Sequence, residues 1–384
     1  MKKFTSLLKN DKSTSSKRIL YIVLLFLGFF ANNTLAQSEI KTPYFVQLSH
    51  VRGENKPHRP VIANLTYPYR GAEIKIGWQS IGKQPWQVAF RYPSYGLGFN
   101  YSTFETEVLG VPASLFFFTT FPQINSKLIN INLDVNFGLS YGINPYDKIS
   151  NPHNFSTGSS INAFFGIYLE QSIHIDKKFD IVVSEGLTHY SNGAMGYPNL
   201  GLNVFPTLKV GFRDHQFDRL KLNKDIKPEY KRNWQLSLYV GGGVKTLFAA
   251  KPLYRELVLQ PSLYYRPSYK RRIGLSYDVI YNEAITGIWT RSDETGRELI
   301  TQSVLLSHEF LINRFTILTQ IGMYVVNLPF DKVAYSRYDI DSIVSRLGIG
   351  FHLTPWAKIV LNLKSHYIKA EYIETGLVFN LNLN

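Results

Sequence analysis

Cysteine is absent from the 384 residues, and with it go disulfide frameworks, thiol nucleophiles and Cys-ligated metal sites. Long apolar runs are almost as scarce. The longest, Ile19–Ala31 (ILYIVLLFLGFFA), has 13 residues, against roughly 20 for a helix that crosses a bilayer. That excludes a helical membrane protein. Charged residues make up only 18% of the chain, whereas aromatic residues reach 15%, with 26 Phe and 25 Tyr. So many rings, with so little charge, need a place to sit.

The first residues read as an export signal. Lys2, Lys3, Lys9, Lys12, Lys17 and Arg18 precede the apolar run, and Thr34-Leu35-Ala36 supplies the small residues of a cleavage site. Residues 1–36 are therefore expected to be a signal peptide, with the mature chain starting at Gln37; an uncleaved anchor is the alternative that the short run disfavours. The leader takes about a third of the formal +14 with it. Export argues against a nucleic-acid partner for the remaining positive charge. Its dispersal fits solvated loops or, more sharply, a lipopolysaccharide phosphate surface.

From residue 42 onward the dominant period is two, the period of a strand. In Ile129–Ile143, Ile129, Ile131, Leu133, Val135, Phe137, Leu139, Tyr141 and Ile143 fall on one face. Asn130, Asn132, Asp134, Asn136, Gly138, Ser140 and Gly142 fall on the other. Strands of soluble sandwiches average about 5–6 residues. A membrane-crossing strand needs about 9–11, apolar toward lipid and polar toward the lumen. Trp234–Val240 and Leu377–Leu383 repeat the alternation. The expected fold class is all-β, a transmembrane antiparallel β-barrel.

About sixteen candidate strands follow from this pattern. Outer-membrane barrels keep short turns on the periplasmic side and longer loops outside. The odd-to-even connections should then be long (52–71, 101–113, 144–158, 191–202, 283–297, 327–344) and the even-to-odd ones tight (81–85, 122–126, 176–177, 267–269, 312–313, 354–355). The charged stretch 214–233 (DHQFDRLKLNKDIKPEYKRN) breaks the rule and reads as a seam between halves 37–213 and 234–384. One barrel of about 14–16 strands is the preferred architecture; two tandem eight-stranded barrels compete with it. In either, Tyr, Trp and Phe at strand ends would form the interfacial girdles.

One segment is not explained by barrel building: residues 185–201, EGLTHYSNGAMGYPNLG. His189 and Ser191 are two apart on a strand, so both side chains leave one face. An imidazole beside a hydroxyl is what makes serine a nucleophile at neutral pH. The pair shares the face of Ile181, Val183 and Leu187, the lipid side. A polar pair there suits an enzyme acting on a membrane lipid; a strand merely ending in the headgroup zone is the plainer account.

The run His189-Tyr190-Ser191-Asn192, followed by Pro198-Asn199 and Gly201, resembles the signature of the outer-membrane lipid A deacylases, the PagL-like or acyloxyacyl hydrolase family. The resemblance implies an eight-stranded barrel that removes the 3-position acyl ester of lipid A at its lipid-facing side. It implies His189 as general base, Ser191 as nucleophile, and Asn199 with the backbone N–H of Ala194 as oxyanion donors. No cofactor or metal is implied; lipid A of lipopolysaccharide is the implied partner, and nothing fixes an oligomeric state. The family's third residue is a glutamate, and here Asn203 stands in its place. Asn203 can still accept from the imidazole, though it cannot stabilise an imidazolium by charge. The apolar set Val204, Leu208, Val210 and Phe212 would turn Asn203 inward unless Pro206 introduces a bulge. Glu185, the nearest acid, lies about 13 Å from His189 along a strand and is expected to turn into the lumen or to pair with a neighbouring strand.

The second half echoes the first. Lys364-Ser365-His366-Tyr367 parallels Leu187-Thr188-His189-Tyr190, but Ile368 and Lys369 replace the serine and asparagine, so only the first half can be catalytic. The expected function is an outer-membrane esterase acting on lipid A. A porin-like channel is the main alternative, and a barrel acting through its outer loops a third. The other histidines, His58 among them, are expected at surface or interfacial positions.

Overall fold

The computed structural model describes residues 43–193, 196–215, 226, 228–245, 253–289, 299–326, 342–366 and 369–383. The expected signal peptide and cleavage site, Ala194, and most of the seam lie outside them. Among the described residues no helix is long and apolar enough to cross a membrane.

Among the described residues, sixteen strands close into two antiparallel barrels of eight. The first contains β1 (Tyr44–Glu54), β2 (Pro68–Gln79), β3 (Ser94–Thr103), β4 (Gly110–Asn125), β5 (Ile129–Ile143), β6 (Ile161–His174), β7 (Phe179–Ser191) and β8 (Leu202–His215). Its closing ladder joins β1 to β8, from Phe45↔His215 to Arg52↔Leu208. The second contains β9 (Trp234–Lys245), β10 (Tyr254–Ser268), β11 (Arg271–Asn282), β12 (Ile300–Ile312), β13 (Phe315–Val326), β14 (Ile343–His352), β15 (Ala357–His366) and β16 (Lys369–Leu383). It closes through β9 and β16, from Leu383↔Trp234 to Glu374↔Gly243. The preferred single large barrel is therefore incorrect, and the tandem alternative is the observed fold. Alternation along a strand is the same in both architectures; only the pairing of β8 with β1 rather than β9 separates them.

Each barrel is built inside out relative to a soluble protein. Leu48, Ile74, Ile76, Leu115, Leu139 and Leu169 are exposed around the first barrel, while Glu73, Lys75, Asp134, Glu170, Lys209 and Arg213 are buried within it. Buried charge is tolerated only when paired and hydrogen-bonded. Lys75 Nζ donates to Asp134 at 2.6 Å, Lys209 Nζ to Glu73 at 2.8 Å, and Arg213 to Glu170 at 2.7 Å. The second barrel pairs Arg346 with Asp278 and Glu374, and Arg272 and Lys358 with Glu309. Both interiors are filled by side chains, as expected at this strand number. A wide aqueous channel, the basis of the porin alternative, is not what these residues form.

The aromatic residues divide between two places. Tyr44, Tyr101, Tyr141, Trp234 and Trp356 are exposed at strand ends or in turns. A second group, Phe45, Tyr69, Phe104, Phe116, Phe118, Phe164 and Tyr190, packs inside the first barrel, so girdles alone do not account for the rings. The run Phe116-Phe117-Phe118 on β4 shows why: alternation sends the outer two inward and leaves Phe117 exposed.

Within each barrel the connections follow the long-loop, short-turn rule with two departures. The β2–β3 turn holds a short helix, α1 (Pro85–Ala89), and β15 returns to β16 after two residues. The β1–β2 loop carries a 3-10 turn at Pro60–Leu65, which starts on proline and buries Ile62 and Leu65 beneath it.

Candidate active site

The site lies at the loop end of the first barrel, where β7 and β8 leave the sheet. On β7 the even-numbered Val182, Ser184, Thr188 and Tyr190 are buried inward, so His189 and Ser191 face outward, half-buried. Glu185, expected to turn into the lumen or pair with a neighbouring strand, is exposed on that same outward face. It sits opposite Leu169 and Leu208 and meets neither expectation. Regular alternation gives it no other direction.

Asn203 reaches the site through an irregularity in β8. Thr207 and Lys209 are buried, and so are Val204 and Leu202, with Phe205 and Pro206 both exposed between them. The register against β7 shifts at the same place, between Gly186↔Thr207 and Thr188↔Val204. One extra residue thus inverts the alternation, which is what a bulge does. Asn203 is turned outward to face His189, its ladder partner. Without Phe205-Pro206 as the inserted step, Asn203 would point into the aromatic plug.

The side-chain contacts join His189 to Asn203 and Ser191 to Asn199. The His189 Nδ1–H donates to Asn203 Oδ1 at 2.7 Å, since an amide oxygen can only accept. That places the ring proton on Nδ1 and leaves Nε2 unprotonated. Ser191 Oγ donates to Asn199 Oδ1 at 3.1 Å and accepts from the Gly193 backbone N–H at 3.2 Å. In this resting geometry the serine proton points to Asn199, not to His189. Ala194, the expected second oxyanion donor, lies outside the described residues.

The strand ends are held by loop contacts that fix this geometry. Asn192 is buried and donates from Nδ2 to the Gly196 carbonyl at 2.8 Å, closing the turn after Ser191. Gly158 N–H donates to Pro198, and Leu200 and Gly201 donate to the Ser156 carbonyl, docking the 144–160 loop beneath Asn199. Asn55 is buried and accepts the Asn203 N–H at 3.0 Å, while Lys56 N–H donates to the Asn203 carbonyl at 2.7 Å. The β1–β2 loop is thereby tied to β8, and it delivers a histidine, expected from the sequence only at a surface or interfacial position. His58 Nδ1 accepts from Asn203 Nδ2 at 3.0 Å. Nothing local marks His58; the one available signal was the missing glutamate, which leaves the histidine's supporting residue in want of support.

Gly201 is required by two separate constraints. Its φ is +70°, and a Cβ there would lie 2.8 Å from His189 Cε1 and 3.0 Å from the Tyr190 carbonyl. Gly201→Ala should keep the barrel folded, seen as an unchanged heat-modifiable gel shift. It should lower kcat about 10- to 100-fold by displacing the imidazole. Unchanged kcat would show that the ring tolerates the push.

Among its described residues the second barrel lacks such a face. His366 is buried and turned inward, pairing with Glu371 at 2.7 Å beside Lys364. Ile373 of β16 lies close to Gly193, where an added Cβ would meet it at 2.3 Å.

Residues 72–213 match the family model "Lipid A 3-O-deacylase (PagL)", and residues 234–383 match "Acyloxyacyl hydrolase, C-terminal domain". Together these cover well over half of the chain. The chain belongs to the PagL lipid A deacylase family. As a PagL-family barrel it is an outer-membrane protein, and each family model falls on one of its two barrels. His58 lies before the matched residues. Among solved structures, one described as the crystal structure of the outer membrane enzyme PagL is 14% identical. It covers 44% of this chain and 98% of its own, with a TM-score of 0.30. A Rhodopseudomonas blastica porin triple mutant is 8% identical, with coverage of 89% and 100% and a TM-score of 0.17. No curated protein sequence matches the chain.

Proposed function

We propose that this PagL-family protein is an outer-membrane esterase of Gram-negative cells, exported by a cleaved signal peptide, that removes an ester-linked acyl chain from lipid A by Ser191/His189 chemistry. The observation that carries the reading is the outward-facing His189–Ser191 pair, with the imidazole proton held on Nδ1 by Asn203. Only a substrate lying in the bilayer meets that face.

The substrate's ester carbonyl would replace Ser191 as the partner of Asn199, whose amide group turns its N–H toward the oxygen. Ser191, released, gives its proton to His189 Nε2 as Oγ bonds to the carbonyl carbon. Asn199 and a backbone N–H of the turn after Ser191 hold the developing oxyanion. The C–O bond to the sugar breaks, and the sugar oxygen takes the proton from Nε2. Water, deprotonated in turn by His189, then frees the fatty acid and restores Ser191. Asn203 fixes the ring through both stages without contributing charge.

Treatment of the detergent-solubilised protein with a fluorophosphonate should give one adduct, on Ser191 by peptide mass spectrometry. The adduct should be lost in His189→Gln. Labelling of other serines at an equal rate, or undiminished Ser191 labelling in the variant, would count against an activated nucleophile.

A further inference from the structure

We infer that His58 is a positioning residue for this site: it locks the Asn203 amide in the orientation that keeps the His189 proton on Nδ1, and its protonation reverses that lock. The inference rests on the proposed Ser191/His189 reading and concerns how the same site is held and regulated.

The argument starts from what an amide cannot do that a carboxylate can. Both carboxylate oxygens accept, so a glutamate facing an imidazole N–H needs no orientation. An amide presents an acceptor on one side and a two-proton donor on the other. Turned by half a rotation, Asn203 would offer N–H to His189 Nδ1, which would then have to accept. The ring proton would move to Nε2, and the base facing Ser191 would be gone. Such a tautomer reversal is what makes an amide in the third position so damaging in serine hydrolases. A second contact on Asn203 must therefore choose between the two orientations.

His58 makes that contact. Asn203 Oδ1 lies 2.7 Å from His189 Nδ1, and Asn203 Nδ2 lies 3.0 Å from His58 Nδ1. A neutral His58 with its proton on Nε2 offers a lone pair at Nδ1, so the amide must donate to His58 and accept from His189. The three groups form one directed chain, His189 Nδ1–H to Asn203 and Asn203 N–H to His58. The loop that carries His58 is pinned to the same residue by the Asn55 and Lys56 contacts with the Asn203 backbone, so the donor and its selector move together.

Protonation of His58 reverses every arrow. Nδ1–H of an imidazolium donates, Asn203 must turn its oxygen toward it, and His189 is left facing the amide N–H. The charged groups around His58 are Arg59, next to it in the chain, and the Lys56–Glu54 ion pair earlier in the loop; His189 faces it across Asn203. Partial burial, then Arg59, then His189 hold its pKa below the usual 6.5. At neutral pH the ring is uncharged and the chain runs in the productive direction; on acidification, as pH falls through that lowered pKa, the lock reverses.

The test uses the full-length protein in detergent with four variants. His58→Ala removes the selector and should lower kcat about three- to tenfold, the value of one orienting hydrogen bond, with little change in KM. His58→Asp restores an acceptor-only group that stays ionised across this pH range; it should recover kcat and remove the additional acid-side fall expected of the wild type. Asn203→Glu removes the need for orientation, so His58→Ala added to it should cost nothing further. Nitrogen-15 spectra of labelled histidines give a readout independent of turnover. His189 should carry its proton on Nδ1 in the wild type and His58→Asp, and shift toward Nε2 in His58→Ala. An unchanged His189 tautomer in His58→Ala, or an equal kcat loss in the Asn203→Glu background, overturns the inference. Ser191→Ala, run alongside, separates the two levels: a wild type no more active than Ser191→Ala refutes the esterase reading, while the spectra still decide the role of His58.

Discussion

His189→Gln should reduce lipid A deacylation by about four to six orders of magnitude, to the level of the Ser191 variant. The imidazole is the one group at the site able to take a proton at Nε2 and return it to the leaving sugar oxygen. Glutamine fills a similar volume and still offers a hydrogen bond to Asn203, but it cannot cycle a proton. Because His189 faces outward and is only half-buried, the substitution leaves the aromatic plug and the paired lumen charges in place. The barrel should fold and show its usual heat-modifiable migration. The measurement is kcat for release of fatty acid from purified lipid A, with the wild type and Ser191→Ala beside it. Activity within tenfold of wild type would remove His189 from the mechanism.

Asn203→Glu should act in the opposite direction. The carboxylate would occupy the place from which Asn203 now accepts the His189 proton, and it would add charge stabilisation of the imidazolium that an amide cannot give. In serine hydrolases the change from carboxylate to amide costs about 10⁴, much of it through the wrong tautomer. Here His58 already holds the amide in the right orientation, and the site is partly open to solvent. The gain should therefore be smaller, about 10- to 100-fold in kcat. The sign of the pH effect also follows. A carboxylate favours the charged ring, so the acidic limb of the activity profile should move to higher pH in the variant. A drop in kcat, or an acidic limb moved to lower pH, would show that Asn203 does not support His189. Asn203→Leu supplies the converse, with the acceptor gone and activity lost.

The extent to which the sequence disclosed this arrangement depends on the range over which each feature is encoded. Alternation is local, so most face assignments of β5 were legible: Leu133, Val135, Phe137 and Leu139 face out, and Asn132, Asp134 and Asn136 face in. At its end Gly142 takes a φ of +102°, and Ile143, expected on the outer face, is buried in the core. Closure is not local. Whether β8 returns to β1 depends on Phe45 meeting His215, 170 residues away, and no periodic pattern carries that information. The charged seam 214–233, the echo of residues 187–190 in 364–367 and the resemblance to an eight-stranded family all point to two barrels, but none of them is a pairing.

The site divides in the same way. His189 and Ser191 were fixed by their separation of two, and Asn199 by the motif that follows. Asn203 required a bulge, which the Phe205-Pro206 step suggested and the β7–β8 register displays. His58 had no local signature at all, because its contact spans 145 residues and arises from how the β1–β2 loop is tied to β8. The rings inside the barrel were misjudged for a simpler reason: a run such as Phe116-Phe117-Phe118 feeds both faces of a strand. The second barrel shows that a histidine in a similar local sequence is not a second site. His366 is turned inward onto Glu371, and its ring nitrogen is occupied by that buried carboxylate.

The most direct measurement is mass spectrometry of lipid A from Gram-negative cells expressing the wild-type protein or Ser191→Ala at equal levels in the outer membrane. Lipid A from wild-type cells should lose the mass of one ester-linked hydroxyacyl chain, and lipid A from Ser191→Ala cells should keep it. Identical acylation in the two, with both proteins folded in the membrane, would contradict the assignment of this face as a deacylase site.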